Sequence, residues 1–395
     1  MSESHSSVEV AREAIRGLRD DEDDSATLSA HARVVWNVLA EPGDGVAGRA
    51  IAAFGPSDAL RRVVDGRWDE IEGVSASELS QAVARWTPRL DSAAVRASTH
   101  AARRAGVRLL VPGDPLWPQR LDDLGAHRPV VLWVRGDPGI LTDGHPTVAV
   151  VGARAATSYG EHVASELAEE LAAAGATVVS GAAYGIDGFA HRSALRVGGK
   201  TVALLAGGVD RPYPAGHTAL IDAIAASGAL IAETPCGTPP TKWRFLARNR
   251  LIAALSDATV VVEAGARSGS LNTAAHAAAL GRPLGAVPGA VTSAASAGCH
   301  RIIREYDGTL VTGPGDVREL LGMAPTAAFD LGTDRTDEVS RLLDALSVRQ
   351  SRPIFEIARR SGLSQPEVQA LVSLASIAGD AVECDDGWRR AASSR

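Results

Sequence analysis

Apolar positions along the chain change rhythm three times, and each change marks a different kind of element. Over residues 29–104 they recur at helical spacing, interrupted at "EPGDG", "FGPSD" and "RWTPRL". This predicts a small all-α domain at 29–105, of the SAM or helix-hairpin-helix kind. The rhythm then shifts to short, nearly continuous apolar runs. "VRLLV" and "VVLWV" flank a proline-rich turn, and "TVAVVG", "ATVVSG", "TVALLAG", "ALIAET", "ATVVVEAG", "PLGAVPG" and "GTLVTG" follow, separated by helical stretches. Strands apolar on both faces that alternate with amphipathic helices predict a mostly parallel sheet covered on both sides. Residues 106–321 therefore read as α/β, an extended Rossmann-like doubly wound domain. After a linker at 322–336, "EVSRLLDAL", "IFEIARRSG" and "SQPEVQALVSLASIAG" return to helical spacing and end at "DAVECDDGWRR". Three helices and a hairpin predict a winged helix at 337–395, with Ser364 capping the third helix and Pro366 in its first turn.

Residues 1–28 are polar and acidic and read as a disordered tail, although the spacing of Val8, Ala11, Ile15 and Leu18 suits a short helix. Glu9, Glu13 and the run from Asp20 to Asp24 gather much of the excess behind the net charge of −7 into this segment. A local basic surface elsewhere is therefore compatible with an acidic chain. The 395 residues, 45% of them hydrophobic, suffice for two or three domains. No apolar stretch approaches the roughly 18–20 residues of a membrane span, and "MSESHSSVEV" lacks the basic start and apolar block of a signal peptide. A cytoplasmic protein without membrane contact is expected. Cys236, Cys299 and Cys384 are too scattered for a disulfide framework or a zinc site, so neither metal nor cofactor is expected.

Ligands of open parallel sheets collect beyond the carboxyl ends of the strands, where helix N-termini point outward. Four such ends here carry small or donor-rich loops. They are Gly152, Ala153 and Arg154; Ser180 and Gly181 followed by "AAYGID"; Gly207 and Gly208; and Arg267, Ser268, Gly269 and Ser270. One such loop could simply let a helix pack closely, but their coincidence favours an anion-binding rim. "GGKT" at 198–201 lacks the earlier glycine of a P-loop and precedes a strand, and the first loop lacks G-x-G-x-x-G, so ATP and dinucleotides are disfavoured.

The segment "TKWRFLARNRLIAALSD" interleaves Lys242, Arg244, Arg248 and Arg250 with Trp243 and Phe245. Charge that tracks phosphates beside a ring that stacks on a base suits single-stranded nucleic acid. One of the two rings is expected in the core, with Phe245 the exposed one. Asp187 and His191, four apart, could pair on a helix face; the preferred reading has Asp187 anchoring its loop.

Taken together, "VGARAATSYG", "SGAAYGIDGFAHRSAL", "GGVDRPYP", "FLARNRLIAALSDATVVVEAGARSGS" and "AVPGAVTSAASAGCHRIIRE" resemble the DprA (Smf) family of bacterial DNA-processing proteins. The resemblance implies a non-catalytic, homodimeric single-stranded DNA-binding protein that helps load the RecA recombinase. It implies a phosphate on Gly152, Ala153 and Arg154, and a base near Phe245 with Lys242 beside it. It also assigns DNA contacts to Arg267 before Ser268, Gly269 and Ser270, and to Arg248, Asn249 and Arg250. Ala153 lacks the hydroxyl common at that turn, and Tyr184 stands where many members carry arginine, which weakens a phosphate contact or offers another ring. A rival reading is a nucleotide-processing hydrolase, in which a "PGGxGTxxE" loop supplies the acid. Here the matching region reads "ARSGSLNTAAH", with His276 at the position of that acid. A third reading is a scaffold, because "SQPEVQALVSLASIAG" carries no lysine or arginine for a DNA groove.

Overall fold

The computed structural model describes residues 7–19, 23–323 and 338–391; most of the expected linker lies outside the described residues. The chain divides into two compact units, Met1–Pro325 and Thr326–Arg395.

The first unit opens with helices α1 (Val8–Ile15), α2 (Asp24–Leu39), α3 (Gly45–Phe54), α4 (Pro56–Asp65), α5 (Ala76–Trp86) and α6 (Ser92–Arg104). The expected disordered tail thus holds a packed helix. Ala11, Ile15 and Leu18 are buried, and Arg103 donates to the carbonyls of Glu13, Ala14 and Arg16 at the end of α1. Apolar spacing outweighed the acidic composition there, because one buried stripe suffices to dock a short helix. Nor do α2 to α6 form a core of their own. Trp36 and Trp86 meet edge to face at 5.0 Å, yet their cluster continues into Leu109, Trp133, Leu205, Ile221 and Leu230 of the sheet region. Helix α2 buries Val34, Val35 and Trp36 in succession, more than one amphipathic stripe, and so serves two neighbours.

The sheet begins with β1 (Arg108–Leu110) and β2 (Leu132–Gly136). It continues through β3 (Thr147–Val151), α7 (Ser158–Ala173), β4 (Thr177–Ser180), α8 (Ile186–Arg196), β5 (Thr201–Leu205), α9 (Thr218–Ser227), β6 (Ala229–Ala232) and α10 (Lys242–Leu255). Then follow β7 (Ala258–Val261), α11 (Ser270–Ala279), β8 (Leu284–Ala286), α12 (Ala297–Glu305), β9 (Thr309–Leu310) and α13 (Pro314–Leu320). The order among the described residues is β1-β2-β6-β5-β4-β3-β7-β8-β9, antiparallel at β1–β2 and β2–β6 and parallel elsewhere. Val148 and Val150 pack with Leu167 and Ala190 on one face, whereas Ala149 and Val151 join Ile252 and Ala274 on the other. Burial on both faces explains why these strands read as unbroken apolar runs. The chain runs outward from β3 through β6, then returns to place β7 against the opposite side of β3.

Helix α10 is clamped to the α2 to α6 layer. Arg244 donates to both oxygens of Glu41 at 3.0 Å, and Arg89 adds a bond of 2.9 Å. Burial pushes the Glu41 carboxyl up, but Arg244 and Arg89 outweigh it and hold the carboxyl below the usual range. A depressed carboxyl stabilises the fold above its unfolded value and loses that effect as pH falls through its folded value. Glu41→Gln should therefore be less stable than the parent at about pH 7, with the difference vanishing well below about pH 4.3. Urea unfolding at about pH 7 and about pH 3 checks this.

The second unit comprises α14 (Glu338–Ala345), α15 (Ile354–Ser361), α16 (Gln365–Ile377) and the antiparallel hairpin β10 (Ala381–Cys384) and β11 (Gly387–Arg390). Ser364 and Glu367 form a capping box at the start of α16, with Pro366 in its first turn. Val368, Val372 and Trp388 share its core. Among the described residues no helix is long and apolar enough to cross a membrane.

Candidate functional site

The return of the chain to β7 leaves a crevice at the carboxyl ends of β3 and β7, the position at which such sheets take ligands. A cleft of about 870 Å³ opens there. Its walls are the loop after β3, the loop after β7, the first turns of α10 and Tyr213 from the loop after β5.

The loop after β3 presents Gly152, Ala153 and Arg154. It is held by its neighbours on both sides: Ala153 N–H donates to the Glu263 carbonyl at 2.8 Å, and Ile186 N–H donates to the Ala153 carbonyl at 3.2 Å. Gly185, at φ +76°, lets the start of α8 approach this loop; a Cβ there would run into the carbonyl oxygens of Ala153 and Arg154. The Glu263 carboxylate braces the far end. It accepts from Thr157 N–H at 2.9 Å and from the Thr157 hydroxyl at 2.5 Å, where Thr157 caps α7.

The loop after β7 brings Arg267, Ser268, Gly269 and Ser270 to the opposite wall. The hydroxyls of Ser268 and Ser270 lie 2.7 Å apart at the N-terminus of α11. Asn249 of α10 reaches across to the Gly269 carbonyl at 3.2 Å and to Asn272 at 3.4 Å, fixing this loop against the helix. The positive end of the helix dipole makes that end attractive to an anion, although Ser270, Leu271 and Asn272 N–H already donate within the loop.

Lys242, Phe245, Leu246 and Asn249 line the cleft from one face of α10. The Arg154 guanidinium lies 4.7 Å from the centre of the half-buried Phe245 ring, and that of Arg248 lies 5.9 Å away. Arg248 itself is buried. It donates to the carbonyls of Gly181, at 3.0 Å, and Leu204, and a Cβ on Gly181 would collide with its guanidinium. Burial pulls the Arg248 guanidinium down to about 10, with Asp187 opposing, so it remains charged at neutral pH. Burial pushes the Asp187 carboxyl up against the influence of Arg248 and of the loop N–H groups it accepts from.

Of the residues singled out from sequence, Gly152, Ala153, Arg154, Lys242, Phe245, Arg248, Asn249, Arg267, Ser268, Gly269 and Ser270 come together here. Four of the expected DNA contacts do not line the cleft, nor do Gly207 and Gly208 of the expected rim. Ser180 is buried and donates to the Val150 carbonyl at 2.7 Å, and Gly181 backs Arg248. Tyr184 lies outside, edge-on to His217 at 4.8 Å. Arg250 points away from the cleft into a buried, two-oxygen ion pair with Glu233 at 2.7 and 2.8 Å. The expectation that Trp243 or Phe245 fills the core also fails: Trp243 is 60% exposed and Phe245 is half-buried at the cleft. Their helix supplies its core contacts from later positions, Leu251, Ile252 and Leu255.

Asp187 and His191 form no pair. Asp187 accepts from Gly181 N–H at 3.2 Å and Ala183 N–H at 3.4 Å, anchoring its loop, while His191 bonds Thr201 at 2.7 Å. Glu263 and Tyr213 went unassigned in the sequence. A carboxylate closing the apolar run "VVVEAG" was the available signal for Glu263, since a buried charge requires fixed partners. Arg154, Lys242 and Arg267 have no carboxylate partner among the described residues, whereas Glu263 and Asp187, the acids nearest the cleft, both hold loop N–H groups. Burial and Arg250 lower the His276 imidazole, which keeps it neutral where the rival reading needs an acid.

Residues 108–322 match the model of the family described as DNA recombination-mediator protein A. A Mycobacterium tuberculosis protein bearing the name DprA is 49% identical over 307 residues, which cover 72% of this chain and 77% of that one. The crystal structure of DNA processing protein A from Streptococcus pneumoniae is similar with a TM-score of 0.58 and 29% identity, covering 74% of this chain and 97% of its own. A structure of DNA processing protein A from Helicobacter pylori, described for its single-stranded DNA binding mode, gives a TM-score of 0.50 at 31% identity, covering 54% and 95%.

Proposed function

Because the chain belongs to the DNA recombination-mediator protein A family, we propose that its cleft binds single-stranded DNA without cutting it, in the service of DNA uptake and recombination. One observation carries this reading. Arg154, Lys242 and Arg267, without carboxylate partners among the described residues, converge on a cleft that also offers the ring of Phe245. Cations left without counter-ions favour a polyanion, and an accessible ring favours unpaired bases over a duplex, whose bases are already stacked. The likeness to the Helicobacter pylori protein supports the same ligand.

The bound strand is held for loading of a RecA recombinase, and the protein acts as a cytoplasmic homodimer. The second unit is a winged-helix-like module. Since α16 carries neither lysine nor arginine, its role is to contact protein and not a DNA groove.

Titration of the full chain with single-stranded and duplex oligonucleotides, followed by its tryptophan fluorescence, tests the reading. The single strand should bind more tightly, with log K falling linearly against log salt by about 0.7 per neutralised phosphate. Equal affinity for the duplex, or release of free base from a nucleoside monophosphate, would overturn it.

A further inference from the structure

The loop after β5, at 209–217, is firmly anchored at both ends. The Asp210 carboxylate accepts from Gly237 N–H at 2.9 and 3.0 Å, and Arg211 N–H donates to the Gly208 carbonyl at 3.0 Å. At the other end the buried His217 ring lies 3.0 Å from the Ala182 carbonyl and 2.9 Å from Arg192. Between these anchors Tyr213 is left 49% exposed on the cleft wall. Its ring centre lies 5.6 Å from that of Phe245, with the planes inclined at 55°.

A tyrosine that only fills space is buried and finds a partner for its hydroxyl. Tyr159, almost as exposed as Tyr213, still ties its hydroxyl to the Pro288 carbonyl at 2.8 Å. The Tyr213 hydroxyl has none among the described residues. A rigid ring on an anchored loop loses little conformational entropy on binding, and any base offers a π-face to it.

We propose that Tyr213 is a second nucleobase platform beside Phe245, and that the inclination of the two rings makes the cleft take two consecutive bases unstacked from each other. The inference rests on the single-strand reading of the cleft and adds a preference to it. Neighbouring bases in a stacked strand lie parallel and cannot each lie flat on planes inclined at 55°. The step must open, and opening costs least where stacking is weakest, so pyrimidine runs are favoured over purine runs.

The test uses the full chain with oligo-dT and oligo-dA, comparing the parent, Phe245→Leu, Tyr213→Leu and Tyr213→Phe. The parent should prefer oligo-dT. Tyr213→Leu should weaken oligo-dT binding roughly ten-fold and reduce the preference, with an unchanged salt slope, while Tyr213→Phe retains both. Irradiation of the parent with an oligonucleotide carrying 5-iododeoxyuridine should cross-link Tyr213 as well as Phe245. This readout is independent of whether the leucine variant folds. If the parent binds single strands and Phe245→Leu weakens it, but Tyr213 neither cross-links nor changes affinity on replacement, the second platform is refuted while the cleft reading stands. If the parent does not bind single strands, both fall together.

Discussion

Reversing Arg154, Lys242 and Arg267 together to glutamate is expected to weaken single-strand binding by roughly 50-fold or more at about 0.15 M salt. Each lost phosphate contact removes about 0.7 from the slope of log K against log salt, so three remove about 2. Between about 1 M, where the counterion term vanishes, and about 0.15 M, that slope corresponds to about 1.7 log units, and repulsion by the new carboxylates adds to it. The fold should be nearly indifferent, because no carboxylate among the described residues loses a partner and exposed substitutions usually change stability by about 0.5 kcal/mol or less. The diagnostic measurement is the slope, since a general loss of structure lowers affinity at every salt concentration alike. A triple variant with the parent's slope would remove these side chains from the site.

Replacing Glu233 by alanine should be the most damaging single change to stability, costing about 3–5 kcal/mol. Glu233 and Arg250 are only 5% exposed, and Arg250 also donates to the carbonyls of His127, at 3.0 Å, and Ala247, at 2.8 Å. Glu233 in turn receives Gly43 N–H at 3.2 Å, and its carbonyl accepts from Asn37 at 2.7 Å. Glu233→Ala leaves a buried guanidinium with carbonyl partners alone. Converting Glu233 and Arg250 together to methionine removes both charges and should cost less than Glu233→Ala, because no unpaired ion remains. Urea unfolding of both variants decides the matter: a double variant less stable than Glu233→Ala would show that the pair is worth more than the cost of desolvating it.

The sheet was legible because burial on both faces writes itself as runs such as "TVAVV" and "ATVVV", and the glycine-bearing loops between runs marked the strand ends. Alternation with helices marked the sheet as mostly parallel and its carboxyl strand ends as the ligand side, while the order of strands, and so the crevice between β3 and β7, came only from the structure. Nor could sequence supply the partner of each charge. "RFLARNR" displays three arginines within seven residues, yet only packing separates Arg248, buried at the cleft, from Arg250, paired with Glu233 well before it in the chain. Tyr184 and Tyr213 both sit in glycine-bearing loops at strand ends; the first lies edge-on to His217 outside the cleft, while the anchors of the 209–217 loop hold the second on the cleft. Composition misled once, at α1, where Arg103 meets helix carbonyls that no local pattern reveals.

Helix α10 gives Lys242, Phe245 and Asn249 to the cleft, while Arg244 is gripped by Glu41 beside the helical layer and Arg250 by Glu233 and the His127 carbonyl. A single stiff rod therefore answers to two masters. By reciprocity of linkage, whatever factor a partner on the helical layer imposes on the cleft's affinity for its polymer, occupancy of the cleft imposes equally on that partner's affinity.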